Sequence, residues 1–150
     1  TGLYQLISIH SESSRLAAAT ENWIYLWDIQ FFPKKAKKLR GLQTPMFMKL
    51  FSKYLVQLNS HGELLVVSLD KYDASTIEFE IKNSISYTTM SAGGTQLAYI
   101  DDGLPYLYDL GTRTLTEIKW MSETPVGLVF DHQDQLVMWT KEGAFFKASP

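Results

Sequence analysis

Short apolar runs recur along this chain at a nearly constant interval, and each is entered through a polar turn. "WIYLWDI" follows Glu21-Asn22, "ELLVVSL" follows the turn ending at Gly62, "LPYLYDL" follows Gly103 and "AFFKASP" follows Gly143. The turn residues Asn22, Gly62, Gly103 and Gly143 are spaced by 40, 41 and 40 positions. Three are Gly and one is Asn, the residue types that best tolerate positive φ, so a tight hairpin is expected at each. Five places past the turn stand Trp27, Val67, Tyr108 and Ala148. One further stand Asp28, Ser68, Asp109 and Ser149. Each run therefore ends on a small polar residue able to bond a turn. A second run precedes each turn: "LAAA", "LVQL", "LAYI" and "LVMW". The runs are rich in aromatic and β-branched residues, and each pair reads as two antiparallel strands. Three alanines in the first run predict a strand packed tightly against something bulky.

Further strands flank each hairpin. "LYQLISI", "PMFMKLF", "ISYTTM" and "PVGLVF" come before, and "AKKLRGL", "STIEFEIK" and "TLTEIKW" follow the first three. "STIEFEIK" alternates cleanly, with Ile77, Phe79 and Ile81 on one face and Glu78, Glu80 and Lys82 on the other, as in a strand with one wet face. No stretch carries a capped helical period. A four-stranded antiparallel meander repeated about every forty residues is the signature of a β-propeller blade. The expectation is an all-β chain forming one partial β-propeller over residues 1–150. Its blades span about 3–44, 45–84, 85–124 and 125–150, and the last lacks its outer strand. Four blades of this kind leave two apolar faces uncovered. The chain is therefore expected to be part of a seven- or eight-bladed ring, completed by further sequence or another chain. A closed four-bladed ring and a different β architecture are the alternatives.

The residues themselves resemble the WD40-repeat propeller family. "YLWDI", residues 25–29, holds the Trp-Asp pair at Trp27-Asp28. "LYDLGTRTL", residues 107–115, offers Tyr108-Asp109 in its place, and "VGLVFDHQDQLVMWTKEG" is similar to the repeat's first two strands. The family's Gly-His pair is represented at Gly41-Leu42 without the His, so the repeats are degenerate. The resemblance implies a WD40-type propeller and a non-catalytic protein-interaction role.

Composition adds bounds. The chain has 150 residues, a net charge of -2 and a pI near 5.9, which gives no global attraction to nucleic acid. It has no cysteine, so disulfides and thiolate metal sites are excluded. No Asn-x-Ser/Thr sequon occurs. Both features suit a nuclear or cytoplasmic, intracellular protein. No run approaches the ~20 apolar residues that span a bilayer, and no membrane role is expected. The N-terminus lacks Met and a charged leader region and reads as a cut or processed end.

Candidate chemistry is sparse. His10, His61 and His132 fall at different repeat positions and are expected to be surface or capping residues, with no metal site. Asp101-Asp102-Gly103 lacks the spacing of a calcium loop. "SAGG", residues 91–94, lacks a helix behind it and reads as a loose loop and not a phosphate cradle. No nucleophile motif is present, so no catalytic residue, cofactor or enzyme activity is expected. The most unusual segment is "FFPKKAKKLR". Five of its ten residues are basic: Lys34, Lys35, Lys37, Lys38 and Arg40. With Phe31 and Phe32 it is the candidate partner-binding segment, set against a plain solvated outer strand with lysine gatekeepers. Clustered cations beside aromatics suit RNA or an acidic protein.

Three functional readings follow. The first is a scaffold holding other proteins, and the rest of its own propeller, in a multiprotein complex. The second is a ribonucleoprotein assembly factor, as in ribosome biogenesis, touching RNA through the basic strand. The third is an enzyme or ligand-binding propeller with a central pocket. Lys49 and Thr88-Thr89 are the polar exceptions on otherwise apolar inner strands.

Overall fold

Hairpins form where the turn residues allow them, and the positive-φ positions are the anchor. Asn22, Gly62, Gly103 and Gly143 have φ of 71, 85, 77 and 85°. The computed structural model describes residues 5–31, 35–78, 81, 85–119 and 123–148. Among them the chain is all-β, with fifteen strands in four antiparallel sheets. Sheet 1 is β1 (Leu6–His10), β2 (Arg15–Thr20), β3 (Trp23–Asp28) and β4 (Lys37–Arg40). Sheet 2 is β5 (Pro45–Leu50), β6 (Tyr54–Asn59), β7 (Glu63–Ser68) and β8 (Ala74–Glu78). Sheet 3 is β9 (Ile85–Met90), β10 (Gln96–Asp101), β11 (Leu104–Asp109) and β12 (Thr114–Glu117). Sheet 4 is β13 (Pro125–Phe130), β14 (Leu136–Thr140) and β15 (Phe145–Ala148). Every sheet is a meander in sequence order.

The turns come in two lengths. Glu21-Asn22 and Asp102-Gly103 are two-residue loops, since Thr20 pairs with Trp23 and Asp101 with Leu104. Asp102 also has positive φ, so the second of these has the twist of a type I′ hairpin. In sheets 2 and 4 the loop is one residue longer, and the last residue of the preceding strand closes it. Asn59 Oδ1 accepts from the Glu63 amide at 2.9 Å, and Thr140 Oγ1 accepts from the Ala144 amide at 3.3 Å.

Two departures from the sequence expectation stand out. A single 3-10 turn, Ile29–Phe31, follows β3 where no helical turn is expected, and it starts where Asp28 Oδ1 accepts from the Gln30 amide. The register of the first strand slips by one residue at Met46, Tyr87 and Val126 in sheets 2, 3 and 4. These are β-bulges near the start of the first strand, at its second residue in sheets 2 and 4 and at its third in sheet 3.

The chain divides into two compact units, Thr1–Glu80 with sheets 1 and 2 and Ile81–Pro150 with sheets 3 and 4. In the first, β1 lies beside β5. Sheet 1 turns Ala17, Ala19, Ile24 and Leu26 toward Met48, Leu50, Leu55 and Leu65 of sheet 2. The small alanines let the two sheets approach, and the larger aliphatic side chains fill the gap. Each fully buried Leu or Ile here contributes roughly 1.5–3 kcal/mol. Ser8 Oγ accepts from the Leu50 amide at 3.0 Å, and Arg15 Nη1 donates to the Ser52 carbonyl at 2.7 Å. In the second unit, β9 lies beside β13. Ala98, Ile100, Leu128, Leu136 and Met138 form the equivalent core. Thr89 Oγ1 takes the Ser8 role, accepting from the Phe130 amide at 3.5 Å. Within each unit, then, the earlier sheet offers one face, here called leading, to the opposite or trailing face of the later sheet.

Candidate binding surface

The basic segment acquires its geometry from β4. Pairing of β3 with β4 sets Trp23 opposite Arg40, Ile24 opposite Leu39, Tyr25 opposite Lys38 and Leu26 opposite Lys37. Because side chains alternate along a strand, Lys38 and Arg40 share the trailing face of sheet 1 with Trp23 and Tyr25, and Lys37 projects the other way. Lys38 Nζ stands 4.0 Å above the Trp23 ring and 5.9 Å from Tyr25, and the Arg40 guanidinium carbon lies 5.3 Å from Trp23. Tyr25 in turn stacks on Trp27 with ring centres 6.2 Å apart. On the opposite side, Lys37 Nζ sits 3.2 Å over the ring of Tyr72, which comes from the loop after β7. Each such cation–aromatic contact is worth about 0.5–1 kcal/mol at an exposed site. The contacts hold the cations in place while leaving them exposed.

Lys35 is also exposed. Phe31 closes the 3-10 turn through its backbone. Phe32 and Lys34 lie outside the described residues, as does Ser149. The structure thus brings Lys37, Lys38 and Arg40 onto three aromatic rings, Trp23, Tyr25 and Tyr72, that the basic run does not itself contain. The pairing of Trp23 and Tyr25 with β4 follows from strand alternation. Nothing in the sequence announces Tyr72, which reaches over from the neighbouring sheet.

The other candidate residues take structural positions. His10 Nδ1 accepts from the Ser13 amide at 3.2 Å and lies 2.8 Å from its hydroxyl, closing the β1–β2 loop. His61 lies in the β6–β7 turn, 3.4 Å from Thr44 Oγ1, and His132 is exposed in the β13–β14 loop. Among the described residues no group of three or more His, Cys, Asp or Glu is placed to hold a metal ion. No helix there is long and apolar enough to cross a membrane.

The "SAGG" loop is less loose than its glycines suggest. Asp134 Oδ1 accepts from the Ala92 amide at 2.7 Å and Oδ2 from the Gly93 amide at 3.4 Å. The loop's anion-accepting amides are therefore occupied by a carboxylate of the chain itself. Asp109 ends β11 by accepting from the Thr112 amide at 2.8 Å, and that bond holds its carboxyl below the usual range. Asp131 is held low mainly by the amides of Gln135 and Gln133, with Lys147 adding to the effect. Burial, with the nearby Asp101 and Tyr106, pushes the Tyr99 hydroxyl far up. Of the polar inner-strand residues, Thr89 bonds Phe130 as described, and Lys49 Nζ lies 5.3 Å from the Phe51 ring. Thr88 Oγ1 is buried without a hydrogen-bond partner. An apolar groove of about 230 Å3 opens in the second unit between Leu107 and Ile118 on one side and Phe130, Leu136 and Ala148 on the other.

Comparison with known proteins sets the fold in context. No family model matches the sequence, and no curated protein matches it. Solved structures do. The crystal structure of the tricorn protease superposes with a TM-score of 0.71 at 17% identity, covering 91% of this chain and 15% of that one. The crystal structure of the computationally designed Ika4 protein superposes with a TM-score of 0.73 at 13% identity, covering 99% of this chain and 91% of that one. The chain thus spans a small part of the tricorn protease and nearly all of the designed chain. At such identities the likeness is one of architecture, and the architecture is that of an all-β, β-propeller-like protein built of antiparallel meander sheets.

Proposed function

We propose that this chain is a non-catalytic protein-interaction module, a stretch of degenerate WD40-type blades within a larger seven- or eight-bladed propeller. In this reading it works in an intracellular multiprotein complex, nuclear or cytoplasmic. Its partner is an acidic protein surface, engaged by the outer strand of sheet 1. The observation that carries the reading is the seating of Lys38 over Trp23 and of Lys37 over Tyr72. A lysine free in solvent loses rotamer entropy when it binds. A lysine already resting on a ring has lost part of it, so less is spent on binding a carboxylate. Rigid strands presenting such a surface suit recognition of a folded or extended protein.

RNA is the second reading, favoured by the five cations in ten residues. The ring geometry argues against it, because Trp23 and Tyr72 each already carry a cation on one face, and a stacked base would compete for the ring. The test is fluorescence anisotropy at physiological salt with two probes, an Asp/Glu-rich peptide and a single-stranded oligouridine. The chain is compared with the Lys37→Glu, Lys38→Glu, Arg40→Glu triple variant. Peptide binding that the triple variant abolishes is the expected result. Binding of oligouridine alone, with a steep salt dependence that the triple variant flattens, would transfer the site to the RNA reading. Binding of neither probe would remove the site.

A further inference from the structure

Lys37 and Tyr72 meet although they belong to different sheets of the first unit. Lys37 stands on the outer strand of sheet 1 and projects from its leading face, the face that packs on sheet 2. The matching positions of two other sheets hold short side chains, since Ser75 pairs with Val66 and Thr116 with Leu107 as Lys37 pairs with Leu26. Of the three, only Lys37 is long enough to reach a neighbouring sheet. The loop that carries Tyr72 is fixed by backbone bonds. The Tyr72 amide donates to the Ser68 carbonyl and the Ser68 amide to the Asp73 carbonyl, each at 2.8 Å, which closes the loop on itself. The Leu69 amide donates to the Lys53 carbonyl at 2.8 Å, and the Leu69 side chain is buried in the core that sheets 1 and 2 share. Tyr72 has a φ of 59°, a left-handed conformation that is strained for a residue with a large side chain. Such strain persists where the surroundings enforce it, and here it yields a partly exposed ring with Lys37 Nζ 3.2 Å from its centre. Asp70 and Asp73 flank Tyr72 and are exposed, yet among the described residues neither pairs with Lys37.

We infer that Tyr72 is the positioning residue of the acidic-partner site and that this site is assembled from both sheets, so that a partner carboxylate closing on Lys37 clamps sheet 1 to sheet 2. The ring covers one side of the ammonium and leaves N–H donors on the other side for a carboxylate. The lysine stem starts on sheet 1 and the ring is held by sheet 2. The stack of ring, cation and carboxylate therefore exists only while the two sheets are packed together. A partner bound to that stack favours the packed arrangement, and by reciprocity the packing favours the partner. Lys38 and Arg40 differ in this respect, because their aromatic supports, Trp23 and Tyr25, stand on their own sheet. They hold a partner to sheet 1 alone. The site thus has an anchor on sheet 1 and a clamp across the joint.

The inference rests on the acidic-partner reading, and its test separates the two. An Asp/Glu-rich peptide is titrated by fluorescence anisotropy against the 150-residue chain, Lys37→Ala, Tyr72→Ala, the double variant and Tyr72→Phe. Tyr72→Ala is expected to bind about two- to fivefold more weakly, the range for one cation–aromatic contact. Tyr72→Phe keeps the ring and is expected to bind like the parent. In the Lys37→Ala background Tyr72→Ala is expected to cause no further loss. A ring that only stabilised its loop would weaken binding in both backgrounds alike. The second readout is hydrogen exchange of the Leu50 amide, which donates to Ser8 Oγ across the joint. Saturating peptide is expected to slow that exchange in the parent and to leave it unchanged in Tyr72→Ala, where Lys38 and Arg40 still hold the peptide. Three outcomes overturn the role of Tyr72 and leave the acidic-partner reading standing. They are parent affinity in Tyr72→Ala, equal losses in the two backgrounds, and equal slowing of the Leu50 amide in parent and Tyr72→Ala. A parent that binds no peptide overturns the acidic-partner reading and this inference with it.

Discussion

The indole of Trp139 lies across Gly127, its partner in the β13–β14 pairing, so closely that a Cβ on Gly127 would stand 2.1 Å from ring atom Cζ2. The aromatic ring covers backbone that a glycine leaves bare, and the glycine provides the room the ring needs. Gly127→Ala is therefore expected to destabilise the chain by about 1–3 kcal/mol, the range for overpacking a fitted site. The same change in a Trp139→Ala background is expected to be nearly neutral. Urea denaturation of the four proteins in a double-mutant cycle checks the coupling. Additive effects would mean that the contact is not tight.

Asn22 holds a φ of 71° and keeps its side-chain oxygen buried without a hydrogen-bond partner. The turn itself is secured by backbone, with the Asn22 amide donating to the Leu42 carbonyl and the Gly41 amide donating to the Asn22 carbonyl. Replacement by Gly keeps both bonds, accepts the positive φ and removes the unbonded acceptor. Asn22→Gly is accordingly expected to stabilise by up to about 1 kcal/mol, whereas Asn22→Ala loses about 1 kcal/mol to strain. The ordering Gly, Asn, Ala in urea midpoints is the measurement. An Ala variant as stable as the Gly variant would refute it.

How far these relationships can be read from sequence depends on whether they are local. The turns were readable, because positive φ narrows the choice to Gly and Asn and because the strands alternate with period two. The two loop lengths were not readable, since the spacings of 40 and 41 do not separate the two-residue loops of sheets 1 and 3 from the longer ones of sheets 2 and 4. The bulges at Met46, Tyr87 and Val126 were not readable, since any residue can be the extra one and the partner strand shows no mark of it. Gly127 looks like a weak point in "PVGLVF" until Trp139 is placed over it. In the basic run the charge was evident. That neighbouring lysines 37 and 38 rest on different rings on opposite faces needs the register of β4 and a loop from the next sheet.

The same limit applied to "SAGG", whose partner Asp134 lies 42 positions beyond Ala92. Asp134→Ala removes the acceptors of the Ala92 and Gly93 amides, and this pair of bonds near the surface is expected to be worth about 1 kcal/mol. The more specific readout is hydrogen exchange, with the Ala92 amide exchanging faster in the variant while amides in β10 keep their protection. Uniform acceleration would mean global loss of stability and not release of this loop.

Asp131 makes the acid response of the second unit testable. Its Oδ1 accepts from the Gln133 and Gln135 amides at 2.9 and 3.0 Å, and its Oδ2 accepts from Lys147 at 3.1 Å. These bonds favour the carboxylate and depress its pKa, the Gln135 amide foremost. An acid with a lowered folded-state pKa contributes stability in full above its unfolded value of about 3.9 and loses it as pH falls through the folded value. Sheet 3 solves the same loop with a neutral group, Ser91 Oγ accepting from the Thr95 and Gln96 amides at 3.2 and 3.0 Å. Asp131→Ser is thus expected to keep the loop near neutrality and to lose less stability between pH 6 and pH 3 than the parent does. Thermal melts across that window check it. Asp109, depressed by the Thr112 amide, titrates in the same direction, so the parent's remaining acid sensitivity is expected to shrink further in an Asp131→Ser, Asp109→Asn double variant. Parallel melting curves for parent and Asp131→Ser would show that the carboxylate's charge is immaterial and that only its hydrogen-bond geometry counts.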